Sequence, residues 1–306
     1  MSAFELAIVI VNWNTMELLR ECLASAYRND GPVFGVCVVD NASGDGSADM
    51  VAAQFPQVRL IRNSTNTGFS RATNDGLRSF GFGRVGSVPR YALLLNPDTV
   101  VPPGAFTRTV DFLAAHPNAG AVGPKLIRPD GSLDPACRRS FPTPASSFYR
   151  FTGLARLFPK SRRFGRYNMS YCEPDALTEV DCVNGAFMMV RGSAIEQVGL
   201  LDEDFFFGGE DLDWAYRIKA AGWKIYYNPA VEVRHVKQAA FRKNPDAAYE
   251  FERAMWIFYR KHYRSQTPRW LDGMVRAGLV LRGGVRLARE MRAADNAGAS
   301  SVRKLS

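Results

Sequence analysis

Cysteine is scarce in this chain and badly placed for cross-linking. The five in 306 residues, Cys22, Cys37, Cys137, Cys172 and Cys182, are odd in number and include no CxxC spacing. That argues against a disulfide framework and a cysteine zinc site, and it points to the reducing cytosol. No run of about 18 uncharged apolar residues is present to span a bilayer. The apolar stretch 6–11 follows an N-terminus without Lys or Arg, which is too short and wrongly flanked for a signal peptide. Several nucleotide and hydrolase signatures are also missing. No GxGxxG follows the first predicted strand, and no GxxxxGK[ST], GxSxG or HExxH occurs. A dinucleotide-binding Rossmann domain, a P-loop, a serine-hydrolase elbow and a zincin helix are thereby excluded.

What is present is an ordinary soluble composition, 46% hydrophobic and 23% charged. Charge is unevenly distributed. Residues 1–233 carry 23 Lys+Arg against 24 Asp+Glu, a net of −1; residues 234–306 carry 16 against 6, a net of +10, and the two sum to the overall +9. A neutral body with a basic tail suggests an anionic partner: nucleic acid, a membrane or a phosphorylated substrate. A second basic run lies inside the body. Between Pro135 and Cys172 there is no acidic residue, but there are Arg138, Arg139, Arg150, Arg156, Lys160, Arg162, Arg163 and Arg166.

The first 125 residues alternate short β-rich apolar runs (6–11, 36–40, 58–61, 91–95, 120–124) with helical segments (15–27, 46–54, 70–80, 103–116), Pro103 suiting a first helical turn. Such alternation predicts βαβ units and a mostly parallel sheet. Residues 128–179 lose the pattern and read as long loops with one helix, an insert of the kind that forms lids or binding surfaces. Order resumes with an apolar strand at 183–190, a short helix at 193–198, and a helix opened by Gly209-Glu210-Asp211-Leu212-Asp213 that stops at Gly222. Two short strands, 223–228 and 231–235, are expected around a Pro229 turn. After Pro245 the chain reads as helical and ends in a polar, disordered tail. The expected domains are 1–240, divided near residue 125, and a basic helical extension over 241–306.

Open α/β sheets bind ligands beyond the carboxyl ends of their strands. The predicted ends carry Asn12-Trp13-Asn14, Asp40-Asn41-Ala42-Ser43, Asn66-Thr67-Gly68 and Asn96-Pro97-Asp98-Thr99. Each alone is a turn former; four on one rim define a site. A hard divalent cation with a nucleoside diphosphate needs only one or two protein carboxylates, and Asp98 offers one. The second acidic centre is Phe205-Phe206-Phe207-Gly208-Gly209-Glu210-Asp211. Acids in a first helical turn complement the dipole, yet a carboxylate beside an aromatic wall also suits a general base. Glu210 and Asp211 point about 100° apart, so one of them faces the site. His235 ends a predicted strand and could ligate a metal if Asp98 is its neighbour. His116 and His262 read as surface residues.

Together these segments resemble the family 2 glycosyltransferases, inverting enzymes of GT-A fold, and especially their bacterial rhamnosyltransferase-like branch. The matching motifs are Ile8-Val9-Ile10-Val11-Asn12-Trp13-Asn14, Val38-Val39-Asp40-Asn41-Ala42-Ser43, Asn66-Thr67-Gly68-Phe69 with Asn74, Leu94-Leu95-Asn96-Pro97-Asp98, Asn184-Gly185-Ala186-Phe187 and Gly209-Glu210-Asp211-Leu212-Asp213. The match spans about residues 5–240. The resemblance implies an α/β GT-A fold with a Rossmann-like central sheet flanked by helices. It implies that Val11 and Asp40 meet the nucleobase, with Asn12 nearby, and that Asn66, Gly68 and Asn74 line the nucleotide pocket. Asp98 would hold a divalent metal, Mg²⁺ or Mn²⁺, with His235 as a second ligand. Gly185 and Glu210 would sit near the sugar and acceptor, and Asp211 would be the base. Asn96 stands where the family motif has its first Asp.

The reaction so implied transfers a sugar, best L-rhamnose from dTDP-rhamnose, from a nucleoside diphosphate donor to a glycan or polyprenyl-linked acceptor, with inversion. The interleaved aromatics and arginines of 148–167 and the amphipathic stretch 270–292 suit the inner membrane surface, and a cytoplasmic, peripheral location follows. Two alternatives stand beside this: a UDP-hexose-dependent transferase, and a nucleotide- or glycan-binding protein without turnover. A nucleic-acid-binding protein would leave the acidic rim unexplained.

Overall fold

A computed structural model describes residues 4–84, 86, 88–236 and 246–303. The chain begins with β1 (Leu6–Asn12), α1 (Met16–Ala26), β2 (Phe34–Asp40), α2 (Ser47–Gln54), β3 (Arg59–Arg62), α3 (Phe69–Ser79) and β4 (Tyr91–Leu95). β1 is apolar up to its last residue because both of its faces are covered, and every residue in it is buried. It pairs in parallel with β2 and β4, and β3 extends the sheet beyond β2. The predicted alternation is therefore present. Pro103 lies outside the helix it was expected to open, since α4 (Ala105–Ala115) begins after Gly104 in the left-handed conformation.

Beyond β4 the sheet continues with β5 (Thr99–Val100), β6 (Ala119–Ile127), β10 (Phe187–Arg191) and β11 (Lys224–His235), in the order β3-β2-β1-β4-β10-β6-β11-β5. The strands β1, β2, β3, β4, β6 and β11 share one direction, and β10 runs against its neighbours β4 and β6. The expected strand at 183–190 is divided. β9 (Cys182–Val183) leaves for a small second sheet with β7 (Arg138–Arg139), and Asn184 turns the chain by accepting the amide of Ala186 at 2.9 Å. The two strands expected around Pro229 are one strand, β11. Proline has no N–H to give a ladder, and here it sits in a register shift between Asn228 and Glu232.

The insert is more ordered than the sequence suggests. It contains a short 3₁₀ turn (Pro135–Cys137), β7, α5 (Pro144–Phe151), α6 (Leu154–Leu157) and β8 (Thr178–Val180), which pairs with β11. Thr143 caps α5 in a reciprocal box with Ser146, which fixes where this helix starts. α7 (Gly192–Val198) and α8 (Glu210–Ala220) follow, and Gly222 past the end of α8 takes φ +92°, as its predicted role requires.

The boundary expected at residue 240 does not separate two cores. α9 (Ala247–His262) contributes Ala254, Ile257 and Phe258 to the main hydrophobic core. Its other face, Trp256 and Tyr259, packs with Leu287 and Met291 of α10 (Arg269–Arg303), which kinks at Gly284. The tail expected to be disordered is helical to Arg303; residues 304–306 and the basic stretch 237–245 lie outside the described residues. No helix among the described residues is long and apolar enough to cross a membrane.

His262 corrects another expectation. It is not a surface residue: its Nε2 lies 2.8 Å from Asp213 Oδ1, and its ring stacks 4.1 Å from Tyr216. His116 likewise is half-buried against Phe112 and Tyr226. Asp213 is fully buried, which alone would raise its pKa, but His262, Arg217 and Lys261 outweigh that and push it down to about 2. An acid with a depressed folded pKa stabilises the fold above its unfolded pKa and loses that stabilisation as pH falls toward the folded one. Relative to an ordinary 3.8, Asp213 contributes about 2 kcal/mol above pH 4, vanishing toward pH 2. In urea melts, Asp213→Asn should therefore be less stable than wild type by an amount that is constant from pH 5 to 7 and shrinks below pH 4. A gap independent of pH would refute the ionic account.

Candidate active site

The strand register assembles the first part of the rim. Asn12 and Asp40 are in-register partners at the ends of β1 and β2, and Asn12 Nδ2 donates to Asp40 Oδ1 at 2.9 Å. The second Asp40 oxygen accepts the backbone amide of Ser43 at 3.0 Å. Thr15 donates to Asn12 Oδ1 at 2.6 Å. Val11, at the edge of the same strand end, is buried against Ala72. Both polar side chains are buried, so their hydrogen bonds hold the orientation of a wall rather than a solvated turn.

Asn41, next to Asp40, ties this wall to the third loop. Its Nδ2 donates to Asn66 Oδ1 at 2.8 Å and to Gly68 O at 3.2 Å, and its Oδ1 accepts from Thr67 N at 3.0 Å. Asn66 also accepts the amide of Gly68 at 3.0 Å. Gly68 is required as glycine: φ is +86°, and a Cβ there would meet Phe206 Cδ2 at 2.7 Å and Phe206 O at 2.8 Å. Phe69 N donates to that same carbonyl at 2.7 Å. The nucleotide-side loop is thus locked to the aromatic loop before Glu210. Asn74 acts differently from its neighbours in sequence. Its amide exchanges hydrogen bonds with the backbone of Leu201 (2.9 and 3.0 Å) and donates to Glu203 at 3.0 Å, so it anchors the start of that aromatic loop.

Asp98 and His235 are brought together by the β5–β11 pairing, in which His235 faces Thr99. His235 Nε2 lies 3.3 Å from Asp98 Oδ1, and His235 Nδ1 lies 3.5 Å from Asp134 Oδ2. Burial would lower the imidazole pKa, but Asp134 and Asp98 on its two sides outweigh this and lift it to about 9. Asp134 escaped the sequence reading. It precedes Pro135 and looks like a capping residue, which it also is, accepting Ala136 N at 3.0 Å. Nothing in the sequence signals that the chain returns it to His235. Among the described residues no group of three or more His, Cys, Asp or Glu side chains gathers around one point suited to a metal. The donor pair Asp98 and His235 nonetheless fits a divalent cation whose remaining ligands are diphosphate oxygens and water. Asp134 behind His235 is the carboxylate support that metal-binding imidazoles commonly have.

Asp211 is placed in the first turn of α8, after Gly208 and Gly209, both at positive φ. Its Oδ2 accepts from Arg139 Nη2 at 2.5 Å and from Gly185 N at 3.2 Å; its Oδ1 accepts from Leu212 N at 2.8 Å. Arg139 belongs to the basic run of the insert. It is nonetheless buried, and its Nη2 also donates to Val183 O at 3.0 Å. Burial opposes the guanidinium charge, but Asp211 dominates and holds its pKa well above the ordinary value. Arg138 too is interior, donating to Glu173 O and Cys172 O at 2.7 and 2.6 Å. The neighbour Glu210 is pushed up to about 8, by burial and then by the charge on Asp211. Its Oε2 has no hydrogen-bond partner among the described residues.

The turn at Asn184-Gly185-Ala186 joins the two acidic centres. Asn96 N, two residues before Asp98, donates to Ala186 O at 2.9 Å, while Gly185 N donates to Asp211. The rim, the Asp98–His235 pair and Asp211 are therefore linked through one continuous set of contacts.

This is the plan of a GT-A glycosyltransferase: a mostly parallel sheet presenting a polar rim, with a second acid held at the start of a helix across an Asn-Gly turn. Residues 4–259 match the family model described as glycosyltransferase like family 2, and the chain belongs to that family. It is 29% identical over 283 residues, covering 90% of this chain and 91% of the relative, to an N-acetylglucosaminyl-diphospho-decaprenol L-rhamnosyltransferase of Mycobacterium tuberculosis. Among solved structures it resembles a mannosyltransferase from Pyrobaculum calidifontis in complex with GDP-Man and Mn²⁺, with a TM-score of 0.56, 17% identity, and coverage of 97% of this chain and 81% of that one. It also resembles GalNAc-T7 with UDP, GalNAc and Mn²⁺, with a TM-score of 0.57, 15% identity, and coverage of 87% and 52%.

Proposed function

We propose that this glycosyltransferase moves L-rhamnose from dTDP-rhamnose to a hydroxyl of a polyprenyl-diphosphate-linked glycan, with inversion at the anomeric carbon. The observation that carries the transfer chemistry is the 184–186 turn, which is bonded on one side to Asn96, two residues before Asp98, and on the other to Asp211. The choice of sugar and acceptor rests on the mycobacterial rhamnosyltransferase that aligns over nine-tenths of both chains. Val11, Asn12 and Asp40 face the nucleobase, and the Asn66–Gly68 loop closes the nucleotide side. Asp211 accepts the proton of the acceptor hydroxyl, whose oxygen attacks the anomeric carbon from the side opposite the leaving diphosphate. Arg139 and the Gly185 amide hold the Asp211 carboxylate in one orientation for that approach.

Asp98 and His235 would hold a divalent cation, Mg²⁺ or Mn²⁺, and the cation when bound supplies positive charge to the departing diphosphate. A lipid-linked acceptor places the protein at the cytoplasmic face of the cell membrane as a peripheral enzyme. A UDP-hexose donor is the second reading, since Mn²⁺ and UDP accompany one of the structural neighbours. A thermal-shift panel of dTDP- and UDP-sugars with and without Mg²⁺ or Mn²⁺ separates them. dTDP-rhamnose with metal should raise the melting temperature most, by an amount set by its affinity. A larger shift with a UDP-hexose would replace the rhamnose assignment, and loss of the metal effect in Asp98→Asn should accompany either.

A further inference from the structure

An apolar cavity of about 590 Å³ opens between α5 of the insert and the C-terminal helices α9 and α10. It falls in the ~300–1,000 Å³ range of ordinary ligand pockets. Its walls include Phe148, Phe151, Met255, Met274 and Leu279. Phe148 is 55% and Met274 62% exposed, although both border a concave apolar surface where cover would be expected. Gly278 also lines the cavity, and a Cβ built on it would meet nothing within 4 Å, so this glycine keeps the channel wide rather than relieving a close packing contact.

The cavity is amphipathic along its length. Arg150 and Arg163 also line it; among the described residues neither forms a salt bridge, and Arg163 Nε donates to Tyr149 Oη at 2.9 Å, whereas the Glu252 carboxylate in the lining is paired with Arg282 at 2.6 Å. Arg150 instead lies 4.7 Å over the ring of Tyr167, which lines the cavity, and Tyr167 O accepts Ser140 N at 2.8 Å. Ser140 follows Arg139, the partner of Asp211. Tyr167 therefore ties the wall of the channel to the residue next to Arg139.

We propose that this channel binds the isoprenoid chain of the acceptor, with its diphosphate at Arg150 and Arg163. The inference rests on the reading of the acceptor as lipid-linked and adds where the lipid lies. A flat bilayer contact would not need a concave channel kept open by a glycine. An isoprenyl diphosphate offers an apolar chain for the walls and an anion for two guanidinium groups that meet no carboxylate.

Isothermal titration of the full chain with dimethylallyl, geranyl and farnesyl diphosphate tests this, with inorganic diphosphate as a head-only control. Affinity should rise at least tenfold from dimethylallyl to farnesyl diphosphate, and inorganic diphosphate should bind more weakly than either. Gly278→Phe, which fills the channel from a helix position with space around it, should weaken farnesyl diphosphate at least tenfold, and so should Met274→Glu; melting temperatures serve as the folding check. A flat chain-length series in the wild type overturns the proposal whatever the variants do. So does undiminished farnesyl diphosphate binding in folded Gly278→Phe. Loss of neutral-vesicle flotation or of a dimer in Gly278→Phe, with farnesyl diphosphate binding unchanged, would assign the channel to a membrane or to a second copy and also overturns it. Intact chain-length dependence without rhamnose transfer would count against the substrate assignment alone.

Discussion

Asp211→Asn should lower turnover at least roughly a hundredfold while dTDP-sugar binding persists. The amide keeps the shape of the carboxylate but has a single acceptor oxygen, so it retains only one of the hydrogen bonds that Gly185 N gives to Oδ2 and Leu212 N gives to Oδ1, and it does not accept the acceptor proton. The neighbouring carboxyl is the control. Glu210 is buried, and part of its raised pKa comes from the charge on Asp211, so neutralising Asp211 removes one cause of that rise. Glu210→Gln replaces a group that is mostly protonated at neutral pH with a neutral amide and should cost far less than Asp211→Asn. Steady-state rates together with a donor thermal shift on each variant decide this. Equal losses in the two variants would move the base to the pair as a unit, and near-normal turnover in Asp211→Asn would refute its assignment.

Arg139→Met should be the most destabilising single change in the site. It leaves Asp211 as a buried charge without its cation, and breaking a buried pair in this way costs about 3–5 kcal/mol. At a few degrees per kcal/mol, the melting temperature should fall by roughly 10 °C. Turnover should fall as well, because the carboxylate loses one of the two donors that fix Oδ2. Arg139→Lys retains the charge but not the guanidinium fork, which reaches Asp211 and Val183 O from one nitrogen. It should recover most of the stability and part of the rate. Loss of stability with full retention of kcat would make Arg139 a packing residue and remove its positioning role.

Much of the rim could be read from the chain itself because strand ends are local features. An apolar run that stops at Asn12 or Asp40 places those residues at the ends of β1 and β2, and parallel neighbours in register bring them together. The Gly68 and Gly208-Gly209 turns announce themselves in the same way, through a conformation that other residues avoid. Arg139 and Asp134 were not legible. Both lie in the insert, where no periodicity assigns a strand, and each acts through a partner far along the chain, Asp211 and His235. The two-residue pairing of β7 with β9 that delivers Arg139 is too short to leave a pattern.

Local chemistry was enough to establish the parallel α/β core and the family to which six ordered motifs point. Which charges would be neutralised was decided by packing. Distant segments close over Arg139, Asp213 and His262, and exclusion of water turns residues that look like surface charges into obligatory partners. The apolar channel belongs to the same category, since the insert and the two C-terminal helices that line it meet only when the C-terminal region folds back.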